Sequence, residues 1–198
     1  MKKLILIGIT AGIASLAQAN SVTLDSGTAL NGTYAYLYNV NSISLPSGYS
    51  ISDATLSFNS ITLTSTATGV ISSDLINLNN VSAQKTDNDA SGDYFQSNTP
   101  YNSKFYSLGT KSLTKNNTQS WSYVFTDTEL GLLNNDVTSL GGFDIGIDPD
   151  CNFSVGSIVF SYDIIKKNTS VPDQAMTAGL LGMSFLGLLA FRRKLAFN

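Results

Sequence analysis

The run Asp87-Asn88-Asp89-Ala90-Ser91-Gly92-Asp93 sets carboxylates at Asp87, Asp89 and Asp93 in a stretch that contains a glycine. Oxygen ligands at alternate positions of a tight turn converge on one point, so a Ca2+ ion is the cofactor this spacing would take. The twelfth position is Asn98, where an EF-hand would supply a bidentate Glu, and no helical pattern flanks the run. Asp, Asn, Ser and Gly are also what an ordinary solvated turn uses, and on that reading there is no cofactor. Asp144, Asp148 and Asp150 form a second acidic set. Asp144 and Asp148 share the strand face opposite Phe143 and Ile145, which predicts solvent exposure. Pro149 presets a turn there, and Asp150 or Asn152 can bond back to the chain.

Enzyme chemistry is harder to assemble. The chain has no histidine, which removes Ser-His-Asp and Cys-His nucleophile pairs, His-ligated zinc and the commonest general base near neutral pH. Glycoside hydrolysis needs two carboxyl groups facing each other across a cleft, and the sequence nominates no such pair among its aspartates. There is no glycine-rich phosphate loop, no Gly-x-Ser-x-Gly elbow and no Cys-x-x-Cys. Glu129 is the single glutamate and lies in Thr126-Asp127-Thr128-Glu129, a capping box that opens a short helix ending near Asn134-Asn135. Cys151 is alone, so no internal disulfide can form, and it reads as a small buried residue. The expectation is a protein that is not an enzyme; a polysaccharide-active enzyme using Asp residues is the remote alternative.

The elements that must carry these residues are strands. Apolar residues recur in short alternating runs among abundant Ser, Thr and Asn: Tyr34, Tyr36 and Tyr38; Trp121, Tyr123 and Phe125; Phe143, Ile145 and Ile147; Ile158, Phe160, Tyr162 and Ile164. Leu56 and Phe58 share a face, but Ile61 and Leu63 have the opposite parity, so a bulge or tight turn near Asn59-Ser60 must reset the phase. About eight strands between turns such as Leu45-Pro46-Ser47-Gly48 predict an all-β, antiparallel two-sheet sandwich, jelly-roll-like, with one short helix. Tyr34, Tyr36, Tyr38, Tyr94, Tyr101 and Tyr106 form two clusters that could stack on sugar rings, giving a carbohydrate-binding module as the alternative function; core packing with the hydroxyl at an edge is the ordinary use of such residues.

The chain ends differ in kind from this body. Lys2 and Lys3 precede the apolar stretch Leu4 to Leu16, and Ala17-Gln18-Ala19 offers small residues to signal peptidase, so residues 1-19 read as a signal peptide cleaved at Ala17 and Ala19. Residues 20-168 are then the sandwich domain, 169-174 a linker, 175-191 a transmembrane helix and 192-198 a basic cytoplasmic tail. The span Ala175 to Phe191 carries no charge, is 17 residues long and is followed at once by Arg192, Arg193 and Lys194. That is about 25 Å of helix, the short limit for a bilayer, with its basic end held in the cytoplasm and the body exported.

Val171-Pro172-Asp173, the Gly- and Leu-rich span and the basic stop, in that order, resemble the PEP-CTERM sorting tail of bacteria in its Val-Pro-Asp variant. The resemblance covers about the last 28 residues; Gln174-Ala175-Met176 departs from the Gly and Ser more usual there. It implies that Val171, Pro172 and Asp173 are the sorting motif, that an exosortase is the processing partner, and that the protein passes from a membrane anchor to the cell surface or extracellular matrix. A structural or adhesive role in an exopolysaccharide layer follows as the expectation.

Charge agrees with export among polysaccharides. Between Asn20 and Ser170 there are six lysines and thirteen acidic residues. An acidic body repels phosphate backbones, which argues against nucleic acid as a partner and is compatible with cations or neutral sugars.

Overall fold

A computed structural model of the chain describes residues 18–80, 82–87 and 92–167. The β-rich unit ends at Lys166; residues 167–198 form a separate unit that lies almost wholly outside the described residues. The expected signal peptide up to Ala17, the Val171-Pro172-Asp173 motif, the span 175-191 and the basic tail all lie outside them too. Among the described residues, no helix is long and apolar enough to cross a membrane.

Among the described residues ten strands follow one another: β1 (Gln18–Asp25), β2 (Tyr34–Val40), β3 (Tyr49–Leu63), β4 (Thr68–Ile76), β5 (Ala83–Thr86), β6 (Phe105–Thr114), β7 (Thr118–Val124), β8 (Phe143–Pro149), β9 (Phe153–Ser154) and β10 (Ser157–Lys166). One sheet has the order β1-β10-β3-β7, with β9 also on β3; the other has the order β5-β2-β8-β4-β6. All pairings between these strands are antiparallel. Leaving aside the short β5 and β9, the chain crosses between the sheets at every step except from β4 to β6, which are neighbours in the second sheet, and this is the strand order of a jelly roll.

The core between the sheets is built from inward residues of both. Leu56, Phe58 and Phe160 of the first sheet join Leu75, Phe143, Ile145 and Ile147 of the second in one buried cluster, and the Phe143 and Phe160 rings meet edge to face at 5.3 Å across the gap. The parity break in β3 is a bulge: Phe58 pairs with Trp121 and Ile61 with Gln119, so one extra residue is absorbed. Ser60 takes φ 53° to absorb it, and both Phe58 and Ile61 stay buried. Leu45-Pro46-Ser47-Gly48 is a turn, closed by the Tyr49 amide donating to the Pro46 carbonyl at 3.0 Å, with Gly48 at φ 79°.

The helix opened by Thr126 is α2 (Asp127–Ser139), and its capping box is present. It does not stop at Asn134-Asn135. Those asparagines sit inside it: the Asn134 side chain accepts from the Ile51 amide at 2.7 Å and donates to the Ile51 and Leu130 carbonyls, tying the helix to β3. The helix ends instead at Leu140, before Gly141 at φ 78°. A second, four-residue helix, α1 (Tyr94–Ser97), and a 3-10 turn, Tyr101–Ser103, lie in the connection from β5 to β6.

Candidate functional site

That connection covers the outer face of the second sheet. Phe95 and Tyr101 pack with Ala35, Leu37 and Ile76 in a smaller core, and the two aromatic rings meet edge to face at 5.3 Å. Gly146 makes the fit possible: a Cβ there would lie 2.6 Å from the Phe95 ring. Asp144 and Asp148, neighbours of Gly146 on the same face of β8, are therefore not on the solvent side. They are 0% and 1% exposed, because the third layer closes over Asp148 and because Asn39 and Asn80 close over Asp144.

Asp74 of β4 joins them. It pairs with Gly146 across the ladder, while Ser72 pairs with Asp148, so Asp74 and Asp148 are diagonal neighbours on one face. Asp74 is 0% exposed, and neither of its carboxylate oxygens has a hydrogen-bond partner. Burial pushes its pKa up to about 9, the nearby Asp93 and Asp148 carboxylates push in the same direction, and the Ser107 hydroxyl facing it from β6 offsets part of this. A carboxyl group so placed holds its proton at neutral pH unless a cation takes the proton's place.

Asp148 is held from one side. Its Oδ2 accepts from the Tyr94 amide at 2.8 Å, and its Oδ1 is buried without a partner. Burial raises its pKa to about 7; the Tyr94 amide lowers it, and Asp87, Asp93 and Asp150 raise it. Asp93 caps α1, its Oδ1 accepting from the Phe95 amide at 3.0 Å and the Gln96 amide at 3.4 Å. Asp150 is raised by burial and then by Asp87 and Asp93. Negative charge from β4, β8 and the β5–β6 connection thus gathers at one end of Phe95, and no lysine contributes to the balance at Asp74 or Asp148.

Asp144, at the other end of the same strand face, is satisfied. It accepts from the Asn39 side chain at 2.7 Å and from the Asn80 amide and side chain at 3.1 to 3.2 Å. Burial raises its pKa, and these bonds from Asn39 and Asn80 oppose the rise.

Of the candidate cation ligands, Asp87 and Asp93 lie near enough to Asp148 to raise its pKa, and Asp89 lies outside the described residues. Asp74 and Asp148 were not among those candidates. The signal for them in the sequence is the strand-interior Gly146, which marks a close approach of something to the sheet; in the structure β4 correspondingly loses its alternation and is buried at seven of its nine positions. Among the described residues, no group of three or more acidic or cysteine side chains is placed so that it could hold a metal ion.

Other candidates resolve into structure. Glu129 is buried and accepts from the Thr126 amide at 2.6 Å, the Thr126 hydroxyl at 2.9 Å and the Tyr123 hydroxyl at 2.6 Å. Cys151 is half-buried, not enclosed, and its sulfur accepts from the Thr66 hydroxyl at 3.1 Å. The loop around it is tied down by Asn152, whose Oδ1 accepts from the Gly32 amide and whose carbonyl accepts from Thr64. The tyrosines do not form two open faces. Tyr36 and Tyr101 are buried, Tyr38 donates to Asp25 at 2.9 Å, and only Tyr34 and Tyr106 of the six are exposed large aromatics. Ala19 is in β1, so cleavage after it would leave Asn20 to Asp25 paired with β10.

No curated protein matches the chain. The family model described as VPDSG-CTERM motif matches residues 170–195. It spans Val171-Pro172-Asp173 and tolerates the departure at Gln174-Ala175-Met176. Such a tail implies processing by a sorting enzyme such as an exosortase and suggests an exported, cell-surface-directed protein. The β-sheet unit described above is therefore followed by a PEP-CTERM-like sorting tail of the Val-Pro-Asp variant.

Proposed function

We propose that this is an exported, non-enzymatic protein of the cell surface or extracellular matrix, delivered by its tail and serving as a structural or adhesive component of an exopolysaccharide layer. The observation that carries the reading is the sorting motif at residues 170–195. Two features of the body support it. Its buried carboxyl groups sit beneath a packed third layer instead of facing each other across an open cleft, and its one glutamate is engaged in a helix cap. Both arrangements suit a scaffold better than a hydrolase, which needs paired carboxyls open to substrate.

Cell fractionation combined with intact mass tests the proposal. The expected result is a surface or medium fraction whose mass lacks the residues up to Ala19 and the C-terminal tail. Recovery of the full-length chain from the cytosol alone overturns it. A second reading, a carbohydrate-binding module, draws on a cleft lined by Asn39, Asn41, Asn79, Asn80 and Ser82. Asn39, Asn79 and Asn80 spend amide hydrogens on Asp144, Leu140 and one another, so sugar hydroxyls would pair with the remaining carbonyl oxygens and with Asn41. Silence on a glycan array, with and without Ca2+, would dismiss that reading.

A further inference from the structure

We propose that β7 pairs edge to edge with β7 of a second copy of the chain, antiparallel about a two-fold axis through Trp121. Among the described residues four strands bound the two sheets, β1 and β7 in one and β5 and β6 in the other. An open strand edge is a template for another strand, and proteins ordinarily protect it with charge, a bulge or short length. Three of these edges carry such protection. β5 is four residues long and holds Lys85. β6 bulges between Ser107 and Gly109 and holds Lys111. β1 shifts register between Thr23 and Asp25 and ends on that carboxylate. β7 has no such device: its seven residues, Thr118–Val124, include neither a charge nor a proline. The irregularity in its pairing falls on β3, where Asn59 and Ser60 stand between two paired residues while β7 runs on with Ser120 alone.

The ladder fixes which backbone groups of β7 face outward. The Phe125 amide donates to the Ala54 carbonyl at 3.0 Å. By alternation Tyr123 and Trp121 also direct their backbone groups at β3, and those of Ser120, Ser122 and Val124 point away from it. The Ser57 and Ser122 hydroxyls, 2.9 Å apart, fit the closer spacing of a non-hydrogen-bonded pair. Trp121 is the midpoint of Thr118–Val124, so a two-fold there pairs the whole strand. Ser120 then exchanges amide and carbonyl bonds with Ser122 of the second copy, and Thr118 does so with Val124. Trp121 meets its own counterpart in the close, non-hydrogen-bonded position, where aromatic pairs add to sheet stability.

The side chains suit that symmetry. Ser120-Trp121-Ser122 reads alike in both directions, so hydroxyls oppose hydroxyls on the outer face. They would continue the Ser57–Ser122 and Thr62–Thr118 pairs, at 2.9 and 2.6 Å, that already join β3 to β7 there. On the inner face Trp121 and Tyr123 are half-buried at the rim of the core, and Val124 on the outer face is 62% exposed; pairing covers all of them. The acidic body repels a second copy over most of its surface, and this uncharged edge is where two copies can meet.

Trp121 is the single tryptophan of the chain, so its emission reports the contact directly. Sedimentation of the full chain in mild detergent, across a wide concentration range, is expected to show the protein mass doubling and growing no further. Trp121 emission should move to shorter wavelength over the same range. Hydrogen exchange should show the Ser120, Ser122 and Val124 amides gaining protection as the mass doubles, with those of Trp121 and Tyr123 protected throughout. Ser122→Pro removes an outward backbone donor and none that serves β3. It is expected to weaken the pairing by roughly tenfold or more, because the two-fold repeats the loss on both copies. Val124→Lys gives the edge the charge it lacks and leaves the backbone bonds to β3 intact, so it decides the matter if Ser122→Pro does not fold. The proposal is overturned if the protein keeps the mass of one copy at every concentration, or if the doubled mass survives in the folded variants. It is equally overturned if association continues beyond two copies, as head-to-tail pairing of β7 with β1 would make it.

Discussion

Phe95 lies directly on Gly146, so close that a methyl group on the glycine would sit 2.6 Å from one ring carbon and 3.0 Å from the Ile76 side chain. This contact joins the third layer to the sandwich beside the buried Asp148, which accepts from the Tyr94 amide of the same layer. Gly146→Ala is therefore expected to destabilise the fold by about 1–3 kcal/mol, the usual cost of forcing extra volume into a packed site. Phe95→Ala is expected to cost about 3–5 kcal/mol through the cavity it leaves. Chemical denaturation of both variants checks the pair, and Gly146→Ala should also increase proteolytic cleavage between Asp87 and Lys104.

The buried carboxyls invert the usual response to pH. Asp74, Asp148 and Asp136 have folded pKa values raised to about 9, 7 and 6, in each case chiefly by burial. An aspartate in the unfolded chain loses its proton near pH 4. Between that value and its folded value the folded chain holds the extra proton, so stability falls as pH rises. Each such group adds to that fall across its own window. The protein should thus lose stability from about pH 4 up to about pH 9, most steeply in the lower part where all three groups act. Asp74→Asn should flatten the stretch between pH 7 and 9. Urea unfolding at a series of pH values measures this, and stability that climbs from pH 5 to 8 would contradict it.

Much of this architecture can be read from side-chain periodicity, and the reason for the rest is local. The inward sets Phe143, Ile145, Ile147 and Ile158, Phe160 announce strands because one of their faces meets the other sheet. The Asn59-Ser60 bulge is legible because a parity error in β3 has no other remedy. The third layer is not legible in the same way. A strand with Asp144, Gly146 and Asp148 on one face looks solvated by the rule that polar means outside, and only a segment 50 residues earlier in the chain, around Phe95, reverses that. The acidic cluster is half visible in the sequence for the same reason. Asp87 and Asp93 declare themselves by spacing, whereas Asp74 joins them through strand pairing that spacing cannot encode. The extra turn of α2 was missed because Asn134, an apparent stop, spends its side chain on Ile51 and so belongs inside the helix.

Glu129 ties the start of α2 to β7 by accepting at once from Thr126 and Tyr123. The phenol proton shares in this: burial first and then the Glu129 carboxylate push the Tyr123 pKa up to about 12. Glu129→Gln keeps the volume but loses the charge, and is expected to destabilise by about 1–2 kcal/mol, the range for losing a helix cap with a charged partner. Tyr123→Phe should cost less, about 1 kcal/mol, because the Thr126 bonds survive it. A double-mutant cycle on thermal unfolding checks the coupling, and strictly additive effects would show that Tyr123 and Glu129 act separately. Far-ultraviolet and near-ultraviolet ellipticity should report the loss of the first helical turn without loss of the sandwich.

The sorting reading makes a sharper demand on Pro172 than on the residues after it. Proline presets one backbone angle and biases its neighbour to an extended conformation, which is the form in which a processing enzyme can grip a chain. Pro172→Ala is expected to leave the secreted body folded but to retain the tail, so that the protein stays with the membrane fraction at a mass higher by the residues that follow the motif. Gln174→Gly, which moves the chain toward the more usual pattern, should process at least as fast as the native sequence. Pulse-chase labelling with intact-mass readout separates the two. Equal processing of native and Pro172→Ala chains would mean that the tail is removed by something that does not read the motif, and the route to the surface would then have to rest on the signal peptide alone.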